Sequence, residues 1–111
     1  PSSGVASYAG DSIIAADTDK LPDEDYVKGS STFTADFGNK KLTGTISAVN
    51  VDVVKVDANI SGNSFAGTAK SDLLNSQGTA EGKFYGENAK ELGGVVNAND
   101  NSWGAAFAAK K

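Results

Sequence analysis

Few side chains in this sequence could act as a nucleophile or a general base. The chain has no His, Cys or Met, which removes the commonest general base, the thiol nucleophile and three of the usual axial ligands of haem. Tyr8, Tyr26 and Tyr85 remain as haem ligands, and we expect no haem ligation by this domain alone. Most hydroxyl and carboxyl side chains alternate with apolar residues and so face solvent, where a carboxylate has no cause for a shifted pKa. We therefore predict no catalytic residues, no cofactor and a protein that is not an enzyme.

The densest group of oxygen ligands is the acidic segment at residues 17–25, which holds five carboxylates. Clustered oxygens suggest a calcium site, but the spacing does not match an EF-hand loop, and Pro22 stands where the turn glycine would be needed. A run of charge is far more often a solvated loop. We therefore predict no metal site here.

This acidic segment is instead a candidate contact surface. Long loops commonly carry binding residues, and the segment leads to Tyr26, an aromatic side chain of the kind that anchors protein interfaces. The turn at residues 97–102 is a second polar loop. We predict that both contact a partner protein. The candidate contact residues are Asp19, Asp23, Glu24, Asp25, Tyr26, Asn99, Asp100 and Asn101.

The elements that must position these loops show an alternation of apolar and polar residues with a period of two. In residues 53–61, for example, Val54, Val56 and Ile60 alternate with polar side chains, which is typical of a strand buried on one face. Glycine, asparagine and serine clusters separate the runs, and the short connections imply antiparallel neighbours. The sequence predicts eight strands, roughly at residues 5–16, 31–37, 41–48, 53–61, 64–72, 78–86, 92–98 and 102–110.

Eight strands is the number at which the interior of a closed barrel is just filled by side chains, and closure removes exposed sheet edges. We therefore predict an all-β fold, in which residues 1–111 form a single domain: an eight-stranded antiparallel up-and-down β-barrel. Large aromatic residues, Trp103 and Phe107 among them, should fill its core. A two-sheet sandwich of the same strands is the main alternative, and residues 88–92 could form a single helical turn.

The composition excludes some classes of partner. The net charge is −4, and all ten cationic residues are lysines, so the Arg-rich clusters that neutralise phosphates are missing and we expect no nucleic-acid binding. An acidic surface also opposes docking on anionic lipid. The chain has no apolar run of the length that a membrane helix needs, so we expect no direct membrane insertion, and we expect a monomer.

Three stretches of sequence are similar to those of a known family. Residues 82–94 read GKFYGENAKELGG, which resembles the signature of the transferrin-binding-protein-like β-barrel family of Gram-negative surface lipoproteins. Residues 36–46 (DFGNKKLTGTI) resemble the hairpin between the second and third strands of that family, and residues 102–111 (SWGAAFAAKK) resemble its closing strand. The resemblance spans nearly the whole chain.

This resemblance implies the same eight-stranded barrel and a function. It implies a non-catalytic module that engages a host protein of the transferrin, haemoglobin or complement-regulator class, displayed on the cell surface by a lipid anchor of the full-length protein, or secreted. In this family the barrel is often a C-terminal half behind an N-terminal handle domain. The alternative function is a structural barrel that an outer-membrane translocator recognises for display. A third hypothesis is a small-ligand carrier with a cavity inside the barrel.

Overall fold

Eight β-strands form the fold in the computed structural model, which describes residues 4–16, 27–48 and 51–111 and, within them, every side chain except those of Ala16 and Val51. Each strand pairs antiparallel with the next one along the chain. The strands are β1 (Val5–Ala16), β2 (Val27–Asp36), β3 (Lys41–Ala48), β4 (Val51–Ser61), β5 (Ser64–Ser71), β6 (Ser76–Tyr85), β7 (Glu91–Ala98) and β8 (Trp103–Lys110).

Pairing between the first and last strands decides between a barrel and a sandwich. The ladder of β1 and β8 begins with Ala9 opposite Lys110 and ends with Ala16 opposite Trp103, so the sheet closes on itself. The predicted all-β, eight-stranded antiparallel up-and-down barrel is confirmed, and the sandwich alternative is wrong.

Two local predictions are wrong. β2 begins at Val27 and not at residue 31, and its first residues pair with β1. After Val27, the inward positions before Phe33 are Gly29 and Ser31, so the apolar alternation that marks a strand in the sequence is interrupted there. Residues 88–92 form no helical turn. Asn88 and Ala89 have φ angles of 58° and 53°, which are left-handed values that a right-handed helix cannot contain.

A continuous group of aromatic rings fills the barrel. Neighbouring rings contact each other in tilted, stacked or edge-on arrangements, which aromatic pairs favour. Because these rings pack along the centre of the barrel, they argue against a small-ligand carrier with a lipocalin-like cavity. The ring centroids are 4.7 Å apart for Phe33 and Phe107, 6.2 Å for Phe65 and Phe107, 5.5 Å for Phe65 and Phe84, 5.2 Å for Phe37 and Phe84, and 5.9 Å for Tyr8 and Phe84.

Three of these rings lie over glycines of the adjacent strand. Phe33 is opposite Gly44, Phe65 is opposite Gly82, and Phe107 is opposite Gly94. A Cβ atom on Gly82 would lie 2.5 Å from Cζ of Phe65, and one on Gly94 would lie 2.8 Å from Cζ of Phe107; each would be closer still to a backbone carbonyl of a neighbouring strand, that of Gly93 or of Glu81. A Cβ on Gly44 would overlap the ring of Phe33 in the same way. The rings therefore occupy the space that a side chain on the facing strand would need.

The meander gives the barrel two different ends. At the turn end lie Gly4 and Lys111, together with the connections at residues 37–40, 62–63 and 86–90. The loop end holds the last residue of β1, the first residues of β2 and β4, and the connections at residues 72–75 and 99–102. Every connection after an odd-numbered strand is therefore at the loop end.

We expect Gly82→Ala to destabilise the barrel by about 2 kcal/mol or more, since overfilling a packed core typically costs 1–3 kcal/mol. Gly38→Ala is the matched control, because its Cβ would meet only Oδ1 of Asp36, at 3.5 Å, and should change stability by less than about 0.5 kcal/mol. Urea unfolding followed by tryptophan fluorescence measures both. Equal midpoints for the two variants would show that the ring of Phe65 and the backbone of β7 leave room for a side chain at position 82.

Candidate functional site

The predicted contact residues fall into two groups along the chain. Asp19, Asp23, Glu24, Asp25 and Tyr26 lie outside the described residues, so their part of the prediction stays a prediction. The strands that bracket them are described, and both the end of β1 and the start of β2 are at the loop end.

The second group forms an ordered polar turn between β7 and β8. Asn99, Asp100 and Asn101 are all exposed. Oδ1 of Asp100 accepts hydrogen bonds from the backbone N of Ser102 at 3.0 Å and from its Oγ at 2.6 Å. Asn101 has a φ of 63° and donates its backbone N–H to the carbonyl of Ala98 at 3.1 Å. The turn therefore presents its amide side chains to solvent on a backbone that is held by hydrogen bonds.

Barrel closure brings the end of β1 beside the turn between β7 and β8. Ala16 lies opposite Trp103 in the ladder of β1 and β8, so the last described residue before the acidic segment lies beside the turn that ends at Ser102. Ala16 and Trp103 are distant in sequence, and only the pairing of the first and last strands makes them neighbours.

Trp103 lies in the core at the loop end of the barrel, as the first residue of β8. The side chain is 5% exposed, which agrees with the prediction that it fills the core. Its indole N–H has no acceptor in the described part of the chain, and a buried donor is costly to leave unpaired. The residue that bears this N–H group, Trp103, lies opposite Ala16, the last described residue before the acidic segment.

The described loop end carries more carboxylates than lysines. Asp52 accepts a hydrogen bond from Oγ of Ser47 at 2.8 Å, and Asp72 forms an exposed ion pair with Lys70 at 3.7 Å. The Ser102 hydroxyl, and then its backbone N–H, lowers the pKa of Asp100 below its ordinary value. Within residues 4–16, 27–48 and 51–111, no three carboxylates come close enough together to hold a metal ion.

Comparison with known proteins assigns the barrel to a family. The family model for the C-lobe and N-lobe β-barrels of transferrin-binding protein B matches residues 1–111. The chain belongs to this family. Its members are binding proteins, which agrees with the prediction of a non-catalytic domain.

Individual relatives agree with this assignment. The chain is 60% identical to an uncharacterized protein of Haemophilus influenzae, over all of this chain but only 38% of that protein. It is 40% identical to a transferrin-binding protein B of the same species, over 73% of this chain and 16% of the relative. The chain thus spans well under half the length of these relatives.

Solved structures give the same fold. The N-lobe of lactoferrin-binding protein B from Moraxella bovis superimposes with a TM-score of 0.83 at 31% identity, covering 97% of this chain and 59% of that one. A structure described as a surface lipoprotein has a TM-score of 0.84 at 27% identity, covering 99% of this chain and 62% of that one. None of the described residues forms a helix long and apolar enough to cross a bilayer.

We expect Ser102→Ala to raise the pKa of Asp100 toward its ordinary value, because the Ser102 hydroxyl is the largest cause of the lowering. A lowered carboxyl pKa means that this carboxylate stabilises the fold above its unfolded pKa, near 3.9, and that this stability is lost as the pH falls through the folded pKa. Titration of side-chain carboxyl shifts by NMR measures the change. Asp36, whose pKa is lowered by Asn39, should keep its value and is the internal control. An unchanged pKa of Asp100 in the variant would contradict the hydrogen bond.

Proposed function

We propose that this barrel binds a host iron-carrying protein of the transferrin class through its loop end. The observation that supports the proposal is the ladder of β1 and β8, in which Ala16, the residue before the acidic segment, lies opposite Trp103 and so beside the ordered turn at residues 99–102. The relatives supply the partner class, since they are named for binding transferrin or lactoferrin.

The ordered turn suits a protein interface. Asp100 and the left-handed Asn101 fix the backbone before any partner arrives, so binding loses less conformational freedom than it would with a mobile loop. The amide side chains of Asn99 and Asn101 are exposed and free to exchange hydrogen bonds. Tyr26 follows the acidic segment and would supply an aromatic anchor, a residue of the kind that polar contacts commonly surround in protein interfaces.

The packed interior supports a protein partner over a small molecule. Rings from Tyr8 through Phe107 fill the barrel, which makes it a rigid scaffold for loops and leaves no room for cargo. Binding then depends on the connections outside the sheet, where function commonly resides on such scaffolds.

The proposal includes a cellular setting. The relatives are longer than this chain, and one structural neighbour is described as a surface lipoprotein. We propose that residues 1–111 are one barrel domain of a longer lipoprotein, which displays the loop end at the cell surface and acts as a monomer.

We expect Asn99→Arg in the full-length protein to weaken binding of host transferrin by about tenfold or more, because a bulky cation in the centre of an interface disrupts packing and charge complementarity. Asn63→Arg is the matched control: Asn63 is an exposed turn residue at the opposite end of the barrel, and its substitution should change affinity by less than about threefold. Surface plasmon resonance with immobilised transferrin, lactoferrin and haemoglobin measures both variants.

Tyr26→Ala should weaken the same interaction by a comparable factor. Equal losses for Asn99→Arg and Asn63→Arg would remove the loop end from the proposal. Failure of the wild-type protein to bind any of the three host proteins would remove the partner class.

A further inference from the structure

Lysines gather at the turn end of the barrel. Six of the ten lysines lie in its connections or within three residues of them. All six side chains are exposed, and they come from four separate parts of the sequence that the meander returns to one end. This basic cluster comprises Lys40, Lys41, Lys83, Lys90, Lys110 and Lys111.

Few carboxylates oppose this cluster. Three acidic side chains belong to the same end: Asp36, Glu87 and Glu91. Six cations and three anions give a net side-chain charge of +3 there. Asp36 turns its carboxylate into its own turn, where it accepts hydrogen bonds from the backbone and side chain of Asn39 at 3.1 and 2.8 Å. Glu91 lies opposite Lys110 in the ladder of β7 and β8 and offsets part of that lysine's charge.

The other end has the opposite sign. Among its described residues, Asp52, Asp72 and Asp100 outnumber Lys28 and Lys70. The segment that joins β1 to β2 adds five acidic residues and one lysine in sequence. The excess negative charge of the chain therefore belongs mainly to the loop end.

Distance keeps the two charge groups apart. Strands of eight residues that rise about 3.3 Å per residue and tilt about 40° separate the ends of a barrel by roughly 20 Å. The Debye length at physiological ionic strength is about 8 Å, so each end acts on its surroundings largely by itself. The net charge of −4 opposes docking on anionic lipid only when it is averaged over the whole molecule.

Hydrogen bonds hold part of the basic cluster in place. Nζ of Lys111 donates to the carbonyl of Asn88 at 2.7 Å, and the backbone N of Lys111 donates to the carbonyl of Lys90 at 3.0 Å. Beneath them, the hydroxyl of Tyr8 donates to the carbonyl of Ala89 at 2.5 Å. The end of β8 is thus fastened to the turn at residues 86–90, which keeps Lys90, Lys110 and Lys111 side by side.

Two exposed apolar side chains border the same end. Val5, at the start of β1, is 67% exposed, and Tyr85, at the end of β6, is 52% exposed. Tyrosine is a residue that membrane–water interfaces favour, because its ring is apolar and its hydroxyl is polar. Lysines together with such side chains fit the boundary between charged headgroups and hydrocarbon.

We propose that the turn end is a docking surface for an anionic lipid surface. The lysines contact the headgroups, Tyr85 and Val5 reach the interface, and the loop end points away from the membrane. The chain enters the barrel at Val5, so whatever precedes this strand joins the barrel at the end that faces the lipid. This inference does not depend on the host partner proposed above.

Co-sedimentation of the full-length, non-acylated protein with vesicles tests the proposal. We expect binding to phosphatidylglycerol vesicles at low ionic strength, a decrease as salt is added, and no binding to pure phosphatidylcholine. The triple variant Lys41→Gln, Lys90→Gln, Lys110→Gln cancels the net positive charge of the turn end and should lower the partition coefficient by about tenfold to a hundredfold.

The matched control is the triple variant Lys28→Gln, Lys55→Gln, Lys70→Gln, which changes the total charge by the same amount away from the turn end and should lower binding by less than about threefold. Tyr85→Ser should weaken binding without changing its salt dependence. Equal losses for the two triple variants, or no preference of the wild-type protein for anionic vesicles, would overturn the proposal. Binding to soluble polyglutamate but not to vesicles would also overturn it and would assign the cluster to an acidic protein.

Discussion

The pairing of an inward phenylalanine with a glycine on the next strand is the constraint on which the rest of this barrel depends. An eight-stranded barrel has little interior space, and a ring such as Phe65 fits there only if the facing position, Gly82, has no side chain. The pairs Phe33 with Gly44 and Phe107 with Gly94 repeat the arrangement. The few large side chains of this chain can therefore form one connected core, which holds the strands in a single register.

A filled and rigid interior has a consequence for the ends of the barrel. Because the rings pack between the two ends, each end can have its own chemistry. The loop end carries carboxylates and an ordered amide-bearing turn, whereas the turn end carries lysines and an exposed tyrosine. A molecule of this kind can be oriented by one end while the other end remains free for a partner. The two proposals are thus compatible in one orientation of the barrel.

The sequence predicts the strands well where inward positions carry apolar side chains, and less well where they do not. The alternation around Val54 and Phe65 identifies β4 and β5. The start of β2 is missed, because Gly29 and Ser31 stand at inward positions and residues of these types are common in loops. The left-handed Asn88 and Ala89 cannot be recognised from residue type alone, since most alanines avoid that conformation. Their geometry depends on contacts from Tyr8 and Lys111, which are distant in sequence.

The grouping of side chains at the two ends follows from barrel closure and from whether a connection comes after an odd-numbered or an even-numbered strand. In an up-and-down barrel, connections after odd-numbered strands share one end, and connections after even-numbered strands share the other with the start of the first strand and the end of the last. The acidic segment and the turn at residues 99–102 follow β1 and β7, so both leave the sheet at the same end. Lys40 and Lys90 follow β2 and β6, and Lys110 and Lys111 lie at the end of β8, so these lysines must be at the other end. The net charge of the chain sums the acidic loop end and the basic turn end. For that reason, composition alone gives the wrong sign for the charge of the surface at the turn end.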